Sequence, residues 1–197
     1  MRAPSGPAPR EPGPFARFRS RRPDAAAPRG RPGPWVVLAA WGPCGFAPVA
    51  PGTVGTLGAV PLCWALGWTS WPVYVAVTLG LLAVGTLAAT RAGRHWGVVD
   101  ASPIVIDEVV GYLVTMAFVP FSWPAALAGF ALFRLFDVLK PWPASAFDRV
   151  KSGFGVMMDD VAAGVFAWAA LQVLQLALRL VLGCGAGGRF FCAELLG

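Results

Sequence analysis

The sequence predicts an all-α fold, a multi-helix integral membrane protein with helical hairpins and a polar site at its cytoplasmic face. Its 197 residues are 56% hydrophobic and only 13% charged, whereas soluble domains carry roughly 25% charged residues. No charged residue occurs between positions 32 and 90. This composition is typical of a chain whose helices lie in a membrane.

The first 34 residues are predicted to form a disordered arm rich in proline and arginine. Eight of the sixteen basic residues are arginines within the first 31 positions, and such a segment cannot bury enough apolar surface to offset its ordering entropy. We expect this arm to lie against anionic lipid, so the net charge of +6 does not indicate nucleic-acid binding. Residues 35–182 would form the membrane domain, and residues 183–197 a C-terminal tail.

Four apolar stretches follow the arm. The strongest, 71–90 and 161–183, have the length of about 20 residues that a membrane-spanning helix requires, whereas 54–68 and 109–133 are interrupted by proline. We predict one hairpin from 54–68 and 71–90 and a second from 109–120 and 124–133, because tryptophan and proline at both turns are typical of an interface and a helix break. The alternative makes 109–133 a single kinked span.

The two-hairpin topology places the arm and both charged clusters, residues 91–108 and 134–160, on one side of the membrane. Their excess of arginine and lysine indicates that this side is the cytoplasm. A single kinked span would instead place Asp107 and Asp159 on opposite faces, where they could not share a metal ion.

Six of the ten carboxylates lie beside these apolar stretches, and acids are costly near hydrocarbon. Acids at a helix start can simply complement the helix dipole. However, two doubled acids on one side repel each other unless a cation lies between them. A cation such as Mg²⁺ prefers carboxylate oxygen, so the predicted metal ligands are Asp107, Glu108, Asp159 and Asp160.

Two further segments suggest phosphate binding. Residues 46–58 are rich in glycine and proline and include Thr53, and an irregular loop of this kind can offer backbone N–H groups to an anion before a helix. Arg134 and Asp137 share a helix face, and Pro141 ends that helix at Lys140. These charges are either an ion pair with a boundary lysine or a phosphate clamp, to which Arg149 would contribute.

Four motifs, PxxPGTxG, DxxxIVxDExxG, FRxxDxxKPWPxxxFDR and GxGxMxDDxxAG, occur in this order within residues 35–175. Together they resemble the phosphatidylglycerophosphatase A family. The resemblance implies a multi-pass, Mg²⁺-dependent phosphatase of the bacterial inner membrane that converts phosphatidylglycerophosphate to phosphatidylglycerol. It implies roles for Asp107, Glu108, Asp137, Lys140, Asp148, Asp159 and Asp160, and further for Asp100 and Arg134. Ser152 stands where family members often carry glycine.

Other phosphatase chemistries lack their nucleophiles. No cysteine is followed six positions later by arginine, there is one histidine, and no Asp-x-Asp pair occurs. The mechanism that remains is attack on phosphorus by a metal-activated water molecule, with basic residues stabilising the equatorial oxygens.

Two other classes of membrane protein are the alternatives. A small transporter or channel subunit would place acids inside spans at several depths, and no acid is predicted within a span. A phosphatidyltransferase of the CDP-alcohol type would need an Asp-Gly…Ala-Arg…Gly…Asp…Asp pattern, which is absent. The sequence leaves a homo-oligomer open.

Overall fold

The computed structural model describes residues 31–181, so most of the predicted arm and all of the predicted tail lie outside the described residues. Between these limits helices are the only regular secondary structure, which confirms the predicted all-α fold class. Seven α-helices and one 3₁₀ helix (Cys44–Phe46) follow one another: α1 Pro34–Ala39, α2 Pro51–Leu66, α3 Trp71–Trp96, α4 Ile106–Thr115, α5 Trp123–Leu139, α6 Ala144–Phe147 and α7 Gly153–Val181.

Two of these helices, α3 and α7, are long and apolar enough to cross a membrane. They contain 26 and 29 residues, so at 1.5 Å per residue they are about 39 and 43 Å long. Helix α3 contains the predicted span 71–90 and extends beyond it to Trp96, and α7 contains residues 161–181 of the other predicted span and begins earlier, at Gly153. Because hydrocarbon is only about 30 Å thick, one end of each helix can reach the headgroup layer.

The first predicted hairpin corresponds to α2 and α3, which are joined by residues 67–70. In the second, α4 ends at Thr115 and α5 begins only at Trp123, so residues 109–133 are not a single kinked helix. The Ser122 side chain accepts a hydrogen bond from the Ala125 N–H at 3.3 Å, and proline follows in the first turn of α5. Both features are typical of a helix N-terminus.

The short helix α4 lies at the centre of the bundle, and nine of its ten residues are buried. It packs against α2, α3, α5 and α7. The Tyr74 hydroxyl of α3 donates to the Leu113 carbonyl at 2.7 Å, and the Tyr112 hydroxyl donates to the Ala126 carbonyl of α5 at 3.0 Å. These bonds satisfy buried polar groups and fix the position of α4 among its neighbours.

Candidate active site

Three acids from two helices converge in the interior. Asp107 and Glu108 lie in the first turn of α4, and Asp160 lies on α7. One carboxylate oxygen of each lies within 4.8 Å of the other two, and none of the three residues is more than 6% exposed. We call these three residues the acidic triad. Its members come from both sides of the second hairpin, which is the grouping that the two-hairpin prediction requires.

The triad has the properties of a cation site. Asp107 Oδ1 and Asp160 Oδ2 are buried and have no hydrogen-bond partner among the described residues. Asp107 lies in α4, outside the two candidate spans. Burial raises the pKa of its carboxyl group, and the negative charges of Glu108 and Asp160 raise it further. A divalent cation would favour the ionised forms instead, and an all-carboxylate donor set suits Mg²⁺.

A guanidinium group lies beside the triad. Arg134 Nη1 is 2.7 Å from Asp137 Oδ2, one turn further along α5, and 3.9 Å from Glu108 Oε1. Asp137 is only 2% exposed, so the Arg134 side chain is held by a buried partner. The ion pair expected from the spacing of Arg134 and Asp137 is present, and its guanidinium group also faces Glu108, a candidate metal ligand.

An ammonium group lies on the other flank. Lys140 Nζ contacts Asp159 and lies 2.6 Å from Asp148 Oδ1. As predicted, the helix ends here, because Leu139 is the last residue of α5. Lys140 itself is the C-cap of α5 and has a left-handed backbone, with φ of 44°, a conformation that is common at helix ends but is usually taken by glycine.

The prediction that Asp159 and Asp160 stand at a helix start is wrong. Helix α7 begins at Gly153, so both residues lie in its second turn, where capping and the helix dipole have little effect. Successive residues point about 100° apart on a helix, and the two carboxylates have separate partners. Asp160 joins the triad, whereas Asp159 pairs with Lys140.

The position of these acids also bears on the argument against an ion path. Asp159 and Asp160 belong to a helix long enough to cross a membrane, so they lie near the start of a candidate span and not before it. Because that helix is longer than the hydrocarbon is thick, its first turns can lie in the headgroup layer.

The glycine-rich segment was predicted to be irregular through residue 58, but it is helical from Pro51. The backbone of this segment approaches the acids very closely at Gly52. A Cβ built on Gly52 would lie 2.1 Å from Glu108 Oε1 and 3.3 Å from Arg134 Nη1, so the site has no room for a side chain there. Thr53 is half-buried and Arg149 is exposed.

A cavity opens onto Lys140 and two members of the triad, Asp107 and Asp160. It brings together the predicted Asp100, Asp148 and Asp159 with a residue that was not predicted, Lys151. A lysine two positions before the GxGxMxDD motif was the available signal in the sequence. The lining residues are Val99, Asp100, Asp107, Lys140, Asp148, Val150, Lys151, Val156, Asp159 and Asp160.

The part of the chain that carries this site matches a known protein family. Residues 37–175, which contain nearly all the residues described above, match the family model for phosphatidylglycerophosphatase A. The chain belongs to the phosphatidylglycerophosphatase A family. The resemblance of the four motifs and the predicted activity of a phosphoric monoester hydrolase are thereby confirmed. The transporter alternative is not supported.

Three curated relatives align with about two thirds of this chain. A phosphatidylglycerophosphatase A of Escherichia coli K12 is 37% identical over 136 residues, which is 68% of this chain and 79% of the relative. One of Haemophilus influenzae is 37% identical over 64% of this chain and 79% of the relative. A Bacteroides thetaiotaomicron protein, provisionally named a phosphatidylinositol-3-phosphatase, is 40% identical over 66% of this chain and 87% of the relative. No solved structure matches the chain significantly.

Proposed function

We propose that this chain is a Mg²⁺-dependent lipid phosphatase that removes the terminal phosphate of phosphatidylglycerophosphate, giving phosphatidylglycerol and phosphate. The observation that carries the proposal is the buried acidic triad with Arg134 on one flank and Lys140 on the other. Acids that hold a cation, set between two basic groups, suit a dianionic phosphate ester.

In this proposal Asp107, Glu108 and Asp160 hold the ion. When bound, Mg²⁺ supplies Lewis acidity toward the phosphate and lowers the pKa of a water molecule. Asp159, predicted from the sequence as a fourth ligand, is assigned to Lys140, because the two side chains are in contact.

Two cationic side chains bind the phosphate oxygens. Arg134 and Lys140 would stabilise the negative charge that spreads over the equatorial oxygens during transfer. Asp137 holds the guanidinium group of Arg134, while Asp148 and Asp159 hold the ammonium group of Lys140. Such fixed charges need little reorganisation when the phosphate reacts. Thr53 and Arg149 are kept as additional phosphate contacts, the first because it follows Gly52 and the second because it follows Asp148.

We place the enzyme in the bacterial inner membrane with this site toward the cytoplasm, where the excess of arginine and lysine lies. The lengths of α3 and α7 allow the site to lie in the headgroup layer, which is also where a lipid phosphate lies. The division into an arm (1–34), a membrane domain (35–182) and a tail (183–197) is part of this proposal, and a homo-oligomer is compatible with it.

The test is phosphate release by the purified full-length chain in detergent micelles. Phosphatidylglycerophosphate is supplied with Mg²⁺ or with excess EDTA, and phosphatidylinositol 3-phosphate is supplied in parallel because of the Bacteroides relative. We expect Mg²⁺-dependent release from phosphatidylglycerophosphate. Faster release from the inositol lipid would overturn the substrate, and full activity in EDTA would overturn the metal.

A further inference from the structure

The charges that line the cavity are unbalanced. Five carboxylates and only two ammonium groups, those of Lys140 and Lys151, line it. A substrate with several negative charges would be repelled by such a surface unless cations offset the carboxylates. The bound metal ion would offset part of this negative charge, and the two lysines would offset more of it.

The two lysines differ in their partners. Lys140 is engaged, because its Nζ contacts both Asp148 and Asp159. The Lys151 side chain forms no ion pair or hydrogen bond with any residue in the described range 31–181. Lys151 is therefore the cation on the cavity wall that is not already paired with a carboxylate of the described residues.

The backbone that carries Lys151 is tightly held. The Ser152 hydroxyl accepts a hydrogen bond from the Gly155 N–H at 3.2 Å and so caps α7. A Cβ on Gly155 would lie 2.0 Å from the Val150 carbonyl oxygen, and one on Gly153 would lie 2.3 Å from Thr90 Oγ1. The turn before α7 is thus packed against its surroundings on both sides of Lys151. The position of the lysine at the cavity is set by this packing.

We infer that Lys151 binds the second phosphate of the substrate, the phosphodiester that joins the headgroup to the diacylglycerol. This inference rests on the proposed function. The reacting monoester is assigned to the triad, Arg134 and Lys140, so the diester needs a separate cation, and Lys151 is the other ammonium group that lines the cavity. A lysine on a flexible four-carbon stem is suited to such a contact. Lys151 is then a residue that determines specificity for lipids with a diester next to the cleaved monoester.

Product inhibition separates the two phosphates, because inorganic phosphate retains only the monoester end and phosphatidylglycerol only the diester. We would measure KM and kcat for phosphatidylglycerophosphate, and Ki for each product, in the parent, Lys151→Gln, Lys151→Arg and Arg94→Gln. Arg94 is an exposed cation in the last turn of α3 that does not line the cavity.

For Lys151→Gln we expect KM and the Ki of phosphatidylglycerol to rise about tenfold, as for the loss of one charge-assisted contact. The kcat and the Ki of phosphate should stay within about twofold. Lys151→Arg should restore most of the affinity, and Arg94→Gln should match the parent. Unchanged Ki for phosphatidylglycerol, or an equal rise for both products, would overturn the inference. Failure of the proposed function would be distinct, since the parent itself would then release no phosphate.

Discussion

Gly111 of α4 and Gly164 of α7 bring the two helices into direct backbone contact. A Cβ built on Gly164 would lie 2.4 Å from the Gly111 carbonyl oxygen, and one on Gly111 would lie 2.8 Å from the Asp160 carbonyl oxygen. The Thr115 hydroxyl donates to the Gly111 carbonyl at 3.0 Å. Gly111 follows Asp107 by four positions and Gly164 follows Asp160 by four, so the contact lies about one helical turn from the triad. Small residues of this kind are what permits close helix packing in membranes.

Gly164→Ala should therefore separate the triad. Alanine favours a helix over glycine by about 1 kcal/mol, so a loss of thermal stability and of activity would show that the clash outweighs this gain. Gly80→Ala is the matched control, because Gly80 lies in α3 and a Cβ built on it would have nothing within 4 Å, and it should be neutral or stabilising. The measurements are thermal unfolding in detergent and specific activity. Parental values for Gly164→Ala would refute the packing argument.

Removal of charge from the triad should abolish turnover. Asp107→Asn, Glu108→Gln and Asp160→Asn each keep the side-chain volume but weaken a cation site. Loss of one preorganised electrostatic group typically costs on the order of 10²–10³ in turnover. Asp24→Asn in the predicted arm is the control and should be silent. Specific activity is compared at equal membrane abundance across a Mg²⁺ titration. Activities of the three variants within a few-fold of the parent would assign the triad a structural role.

The contact between Lys140 and Asp159 can be tested by a double-mutant cycle. If Asp159 acts only by holding Lys140, the double variant Lys140→Gln/Asp159→Asn should lose no more activity than Lys140→Gln alone, because effects of contacting residues are not additive. The Mg²⁺ concentration for half-maximal activity should also match the parent in Asp159→Asn. A clear rise in that concentration would return Asp159 to the ligand set predicted from the sequence.

The topology predicts that the two charged clusters share one face of the membrane. Single cysteines introduced after Arg94 and after Asp148, in a chain without its four native cysteines, should both react with a membrane-impermeant reagent only when the cytoplasmic face is exposed. The reason is that residues after α3 (Val99, Asp100) and residues before α7 (Val150, Lys151) line the same cavity as Asp107 and Asp160. Labelling from opposite faces would contradict the shared site.

The sequence alone determined the fold class and the two long helices, and it predicted the acids, Arg134 and Lys140 of the candidate site. Hydropathy over 20 residues is a local property, and the acids stand out because they are rare beside hydrocarbon. Only the tertiary structure decided how those acids are grouped. Asp159 and Asp160 are neighbours in the chain, yet one faces Lys140 and the other faces Asp107, because helical rotation and the helix start at Gly153 set their directions. The cavity residue Lys151 and the close approach of Gly52 to Glu108 likewise depend on helices that are distant in sequence. Contacts of that kind are fixed by packing, which no local pattern of residues records.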